Sequence, residues 1–364
     1  MLDQRFEKWE ELPNLSLYNE SCTPAGALQL LLLSPMMETL NTTELCFPQL
    51  LNASCRKPPQ HLAANFFIFI ALSLLIGLTV TLNLLVIISV SHFRQLHTPT
   101  NVLLLSLAVS DFLIGLCVMP IPFFFTEDCW ILGTFMCGLY TFTAFILTSV
   151  SVGNMVLISA DRYVAICDPL RYPTKVTLRR VQVCVCLCWA ASFFYNGVTL
   201  KDFLKDPDIF NLCIGECVLL LDYITGAVDV VITFFCPITV IVILYIRVFM
   251  VAVSQARAMR SHIVSLQSSA QPRVKKSELK AATALGVVVF IFLVCFCPYF
   301  YPNIAGLTYK SSDFASVFGN WLFYSNSCIN PLIYAFFYPW FRKSLKSIVT
   351  LQILQPDSCD ANIL

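Results

Sequence analysis

An acidic side chain stranded in an apolar stretch is the first feature of this sequence that could do chemistry. Asp229 lies in Ile224-Thr-Gly-Ala-Val-Asp-Val-Val, before Pro237, about two helical turns or about 12 Å outward of it at the helical rise. An ionisable group within lipid is costly and marks a functional site by default. No lysine or arginine stands at matching depth in the other apolar stretches, so a cationic ligand could supply the missing charge. The structural alternative is a protonated carboxyl bonded to a hydroxyl such as Thr148 or Ser149. Phe145, Phe296, Tyr299, Phe300, Trp321 and Tyr324 crowd the same depth, and aromatic faces attract cations by about 0.5–2 kcal/mol. With Thr148 and Asn303 they form the candidate ligand-binding set around Asp229. Asp222, further out on the same stretch, could be a second cation subsite or a solvated helix end.

Two other polar groups lie at depth. Asp111 shares the middle of the apolar region with Ser151, Asn326, Ser327 and Asn330. Their oxygens could hold a sodium ion, or could hydrogen-bond a protonated aspartate. Asp161-Arg162-Tyr163 closes a long apolar stretch, and Glu278 begins a later one. An Arg162–Glu278 pair would tie two helix ends together in a resting state; a solvated cluster is the alternative. Pro120, Pro237, Pro298 and Pro331 fall inside apolar stretches, where proline kinks a helix and can serve as a hinge. No metal-ligand spacing, nucleophile elbow or phosphate loop occurs, and no histidine lies inside a span. An enzyme and an obligatory cofactor are therefore not expected, sodium remaining the one candidate ion.

These groups need elements that cross a bilayer. The 364 residues are 57% hydrophobic and only 12% charged, whereas a soluble chain has about 25% charged residues. The net charge of +1 gives no reason to expect a nucleic-acid partner. Seven stretches are long enough to span about 30 Å of hydrocarbon as helices: 66–90, 101–125, 133–166, 181–200, 223–251, 281–307 and 314–337. The seventh is the most polar. Lysine and arginine gather after the first, third, fifth and seventh stretches, while the other loops are mixed or acidic. The N-terminus is thus expected outside the cell and the C-terminus in the cytoplasm. Four sequons, at Asn14, Asn19, Asn41 and Asn52, agree with an exported, glycosylated tail. The part before Met36 or Met37 reads as an unusual extension, and the first helix as the signal anchor.

The expected organisation is an all-α membrane protein. Residues 1–62 form the outer tail, 63–338 a seven-transmembrane helix bundle, and 339–364 a short amphipathic eighth helix with a cytoplasmic tail. In that eighth segment Trp340, Phe341, Leu345, Ile348 and Val349 alternate with Arg342, Lys343 and Lys346, a pattern that lies along lipid. Of the 17 cysteines, those on the outer side stand in an oxidising compartment. A Cys137–Cys217 bond would pin the long loop over the bundle mouth, leaving Cys213 to hold the tail through Cys55 or Cys46.

Taken in order, the motifs resemble those of the rhodopsin-like G protein-coupled receptors. They comprise Asn83, Leu107-Ala-Val-Ser-Asp111, Asp161-Arg162-Tyr163, Trp189, Pro237 with Tyr245, Phe292 with Cys295 and Pro298, and Asn330-Pro331-Leu-Ile-Tyr334. The run from Asn326 to Phe341, with Cys55 and Cys213-Ile-Gly-Glu-Cys217, is similar to trace amine-associated receptors. The resemblance implies a plasma-membrane receptor for small amines, often olfactory, coupled to a stimulatory G protein that raises cyclic AMP. It implies a Cys55–Cys213 bond between tail and loop. It also implies an activation switch built from Asp161, Arg162, Tyr163, Glu278, Tyr245, Phe292, Pro298, Pro331 and Tyr334. Two residues depart from the pattern. Ala144 stands where most amine receptors carry an aspartate, and Phe296 where the family has tryptophan. Asp229 resembles the alternative anchor of a fish-expanded branch. The competing readings are a receptor for a neutral or peptide ligand, with Asp229 structural, and a transporter, which the lack of an internal repeat disfavours.

Overall fold

Backbone N–H and C=O groups in hydrocarbon must be satisfied within their own segment, so apolar runs of this length become helices. The computed structural model describes residues 62–121, 130–205, 217, 219, 221, 223–265, 286–287, 290–300, 314–356 and 358–363. Asn14, Asn19, Asn41, Asn52, Cys46, Cys55, Cys213, Asp222, Glu278 and Asn303 lie outside them. Every regular element among the described residues is helical.

Helix α1 is Leu62–His92, and α2 starts at Pro99–Leu113. Thr98 caps α2 by accepting the Asn101 N–H at 3.3 Å, with Pro99 at the first helical position, where a missing N–H costs nothing. Helix α2 continues through a π-helical turn, Ile114–Val118, just before Pro120. Helix α3 is Gly133–Cys167, opened by Gly133 at φ 77°, a backbone shape that favours glycine. Helix α4 is Leu178–Thr199. Helix α5 runs through Tyr223–Val230, a second π-helical turn at Val231–Phe235, and Cys236–Ser265. It extends fourteen residues beyond the expected end at 251. Helix α6 is described over Phe290–Phe300, α7 is Phe314–Phe337, and α8 is Pro339–Val349.

Helices α1 to α5 are each long and apolar enough to cross a membrane. Helix α3 packs against α2, α4 and α5, and α7 packs against α1 and α2. Leu74, Leu187, Phe194 and Ile243 stay exposed on the outside of the bundle, as a lipid-facing surface requires. Polar side chains join helices across the middle. Asn83 on α1 donates to the Ser327 carbonyl on α7 at 2.9 Å, and Trp189 on α4 donates to Ser106 on α2 at 3.1 Å.

Helix α8 corrects part of the sequence reading. Trp340 and Phe341, expected along lipid, are buried in the same apolar core as Phe292 and Tyr334. Only Val349 of the proposed apolar face is well exposed. The chain then turns back to the end of α1, where His92 meets Ser358 at 3.0 Å, Arg94 meets Asp360 at 3.3 Å, and Ile363 is buried.

Candidate functional site

Both π turns sit immediately before a proline whose missing N–H disturbs the helical ladder. A π turn holds one extra residue, which rotates whatever precedes it by about 100° relative to an unbroken helix. Asp229 is just ahead of the α5 turn, so its direction differs from the one regular periodicity gives. Its carboxylate accepts a hydrogen bond from Tyr195 on α4, Oη to Oδ1 at 2.9 Å. The hydroxyl partner is therefore on α4, not on α3 as Thr148 or Ser149 would require. Ser149 instead accepts from Asn196 of α4 at 3.0 Å. Thr233 donates to the Asp229 carbonyl at 2.7 Å. Asp229 is 9% exposed, and the ion pairs among the described residues involve Asp161, Asp168 and Asp360 instead. A buried carboxylate with no cationic partner among the described residues is what the site offers a ligand.

The aromatic residues form one continuous group rather than scattered rings. Phe300 stacks near Phe234 at 4.6 Å between centroids, and both Tyr299 and Phe296 lie 4.5 Å from Phe323. Trp321 and Tyr324 follow at 6.4 Å, and Tyr324 and Tyr140 of α3 pack against the same buried cluster. Tyr299 is within electrostatic reach of Asp229. Phe145 is half-buried on α3 beside Ala144. Thr148, Phe296 and Tyr324 line a narrow cavity with Ile114, Ser151, Phe323, Asn326 and Ser327, with room for about one water-sized particle. Sequence reasoning missed Tyr195, Tyr140, Phe234 and Phe323. Each is an ordinary aromatic residue of a span, and its partner on another helix leaves no periodic signal.

Two residues of that cavity, Ser151 and Ser327, also contact Asp111, which is fully buried. Ser151 and Ser327 donate to its Oδ1 at 3.1 and 2.9 Å, and Asn330 donates to Oδ2 at 2.9 Å. Ser151, Ser327 and Asn330, three of the four polar residues expected around Asp111, thus reach its carboxylate. The Asn326 Oδ1 is buried without a hydrogen-bond donor. An orphaned buried oxygen next to a carboxylate and two hydroxyls is a donor set that suits a hard monovalent cation.

At the far end of α3, Arg162 turns back on its own neighbour. Its Nε donates to Asp161 at 2.9 Å, and Nη2 contacts both Asp161 and Thr100 of α2. Tyr172 and Thr100 donate to the same carboxylate at 2.8 and 3.0 Å. Below them Lys175 donates to Asp168 at 2.9 Å and holds that carboxyl below the usual range. Tyr163 packs beside Ile166 and Val248. Phe292 stacks on Phe296 at 4.1 Å, and Tyr334 is buried near Tyr338. Tyr245 of α5 lies so close to Gly286 that a Cβ there would overlap its phenol. Pro331 sits inside α7, and the Pro298 carbonyl of α6 faces Gly319 of α7. At the opposite end, Cys137 and Cys217 form a disulfide with Cα atoms 5.6 Å apart.

A family model described as "7 transmembrane receptor (rhodopsin family)" matches residues 82–334. Trace amine-associated receptor 13c of Danio rerio is 38% identical over 329 residues, covering 88% of this chain and 96% of the relative. The chain belongs to the trace amine-associated receptors of the rhodopsin family. Trace amine-associated receptor 1 of Mus musculus is 38% identical over 318 residues, covering 84% of this chain and 96% of its own. Trace amine-associated receptor 6 of Homo sapiens is 36% identical over 335 residues, covering 89% and 96%. As a trace amine-associated receptor the chain is a multi-pass plasma-membrane protein that signals through a heterotrimeric G protein. It is not an enzyme.

Proposed function

We propose that this receptor detects small amines, that the ligand's ammonium pairs with Asp229, and that the signal passes to a stimulatory G protein and raises cyclic AMP. Olfactory neurons are the proposed setting. The observation that carries the reading is the buried Asp229 carboxylate without a cationic partner among the described residues. The names of the relatives point to the same ligand class. Ala144 leaves the usual anchor position uncharged, so Asp229 takes over that role. The ligand set is Asp229, Phe145, Thr148, Phe296, Tyr299, Phe300, Asn303, Trp321 and Tyr324. The N-terminal tail faces outward, carries sugar at Asn14, Asn19, Asn41 and Asn52, and is tied to the loop by Cys55–Cys213. The C-terminus is cytoplasmic.

Binding at Asp229 draws α5 inward around Pro237, the Phe292–Phe296 stack repacks, and Arg162 is released to meet the G protein. Phe296 has no indole N–H, so this core switches by ring packing alone. Glu278 is the resting partner of Arg162 in the same scheme. A ligand moves this equilibrium only by its difference in affinity for the two states. Cells expressing the receptor, exposed to primary, tertiary and di-amines with a cyclic AMP readout, should respond to a subset of amines. Activation by neutral compounds or peptides alone would reject the proposal.

Asp111, Ser151, Asn326 and Asn330 would hold a sodium ion, with Ser327 as a further oxygen. An ion there ties α2, α3 and α7 in the arrangement seen and opposes activation. Replacing sodium by potassium should raise agonist affinity by roughly fivefold or more, and Asp111→Asn should remove the difference. An unchanged affinity in the wild-type receptor would reject the ion.

One observation favours a second reading. The Tyr195 hydrogen bond gives Asp229 a partner without any ligand, so the carboxyl could simply brace α4 against α5 in a receptor for a neutral ligand. The amine panel separates the two.

A further inference from the structure

Tyr195 is the one side chain of α4 that reaches the Asp229 carboxylate among the described residues. Its placement is firm. The next residue, Asn196, is fully buried and bonded to Ser149 of α3 and to the Ser192 carbonyl. One turn on, Thr199 donates to the Tyr195 carbonyl at 3.0 Å. Trp189 fixes the same helix to α2. The phenol is therefore held on a braced helix at the seam between α4 and α5.

A phenol carries one O–H donor and accepts through its oxygen. Here the proton is committed to Asp229 Oδ1 at 2.9 Å, and a lone pair of the phenol oxygen can accept beside the Thr199 side chain. Two acceptors 2.9 Å apart, one a carboxylate and one a neutral oxygen, match an ammonium that carries two or more N–H bonds. One N–H can donate to Asp229 while a second donates to the Tyr195 oxygen. A tertiary ammonium has a single N–H and must leave one acceptor unmet. A quaternary ammonium can meet neither by hydrogen bonding and keeps only the charge attraction.

We propose that Tyr195 is a specificity-determining residue that makes the Asp229 anchor select primary ammonium groups over N-methylated ones. This rests on the amine reading of Asp229. The carboxylate supplies the charge, and the phenol oxygen counts the hydrogens. Because the bond to Tyr195 also holds Oδ1 in place, the ligand meets a carboxylate already oriented and bonded on one side.

The test uses the full-length receptor in cells, with wild type, Tyr195→Phe and Asp229→Ala, and three probes: 2-phenylethylamine and its N,N-dimethyl and N,N,N-trimethyl derivatives. The potency ratio between primary and trimethyl probes is read, because a change in expression cancels in that ratio. Wild-type potency should fall along the series. Tyr195→Phe should lose roughly tenfold on the primary amine, the scale of one hydrogen bond to a charged group, and change by less than about twofold on the trimethyl probe. An equal loss on all three probes would mean that Tyr195 only braces the helices, and would overturn the proposal. So would a flat wild-type series or an unchanged ratio in Tyr195→Phe. Asp229→Ala separates the two levels. If it leaves all three responses intact, the amine anchor itself fails. If it removes them while Tyr195→Phe leaves the ratio alone, only the role of Tyr195 fails.

Discussion

Replacing Asp229 by alanine should abolish the amine response while surface expression stays at the wild-type level. The size of the effect follows from burial. The carboxylate is 9% exposed and bonded to the Tyr195 phenol, so its charge would act on a bound ammonium with little screening. Removing one partner of a buried ion pair costs about 3–5 kcal/mol, which is over a hundredfold in affinity. The damage to the fold is smaller. Tyr195 loses its acceptor, worth about 1.5–3 kcal/mol for a hydrogen bond to a charged group, and its half-buried hydroxyl sits at a helix seam. The helices themselves are held by the Asn196–Ser149 and Trp189–Ser106 bonds, which the substitution does not touch. Cyclic AMP accumulation and surface labelling on the same cells separate the two effects. Retained potency would reject the anchor.

Replacing Arg162 by alanine should leave amine binding intact and eliminate G protein activation. Arg162 is fourteen residues along α3 from Thr148, about 21 Å at the helical rise, so the ligand end does not feel its loss directly. The resting arrangement also tolerates the change. Asp161 keeps its bonds from Tyr172 at 2.8 Å and Thr100 at 3.0 Å when the guanidinium is gone. What disappears is the cation paired with Asp161, which in the proposed scheme is released to meet the G protein. Ligand binding to membranes, set beside nucleotide exchange on the G protein, measures both halves. Loss of binding as well as exchange would point to misfolding and remove the support for a switch.

The bundle was largely legible from hydropathy, because a span must be long, apolar and internally hydrogen-bonded. The expected 133–166 and 314–337 stretches coincide closely with α3, Gly133–Cys167, and α7, Phe314–Phe337. The expected span 223–251 matches the apolar part of α5, Ile224–Val251, and the helix continues past it to Ser265, where hydropathy carries no signal. Asp229 stood out by charge alone, but its partner did not. The π turn at Val231–Phe235 inserts one residue without any compositional mark, so the sequence carries no sign that the carboxylate meets Tyr195. At Asp111 the polar residues of α7 were recognised, yet neighbours in sequence face different ways. Ser327 bonds the carboxylate and Asn326 presents an unpaired oxygen. The inward turn of Trp340 and Phe341 was hidden for a related reason. An amphipathic pattern gives the apolar face of a helix but not whether lipid or protein covers it.

The central claim is a direct contact between a ligand's positive nitrogen and one carboxylate of α5. Equilibrium binding of a radiolabelled activating amine to purified receptor, wild type against Asp229→Ala, measures that contact without the signalling machinery. The account predicts saturable binding to the wild type and a loss of at least about a hundredfold in affinity for the variant, with Cys137–Cys217 and the helical content intact. Equal affinity in the two proteins would contradict it.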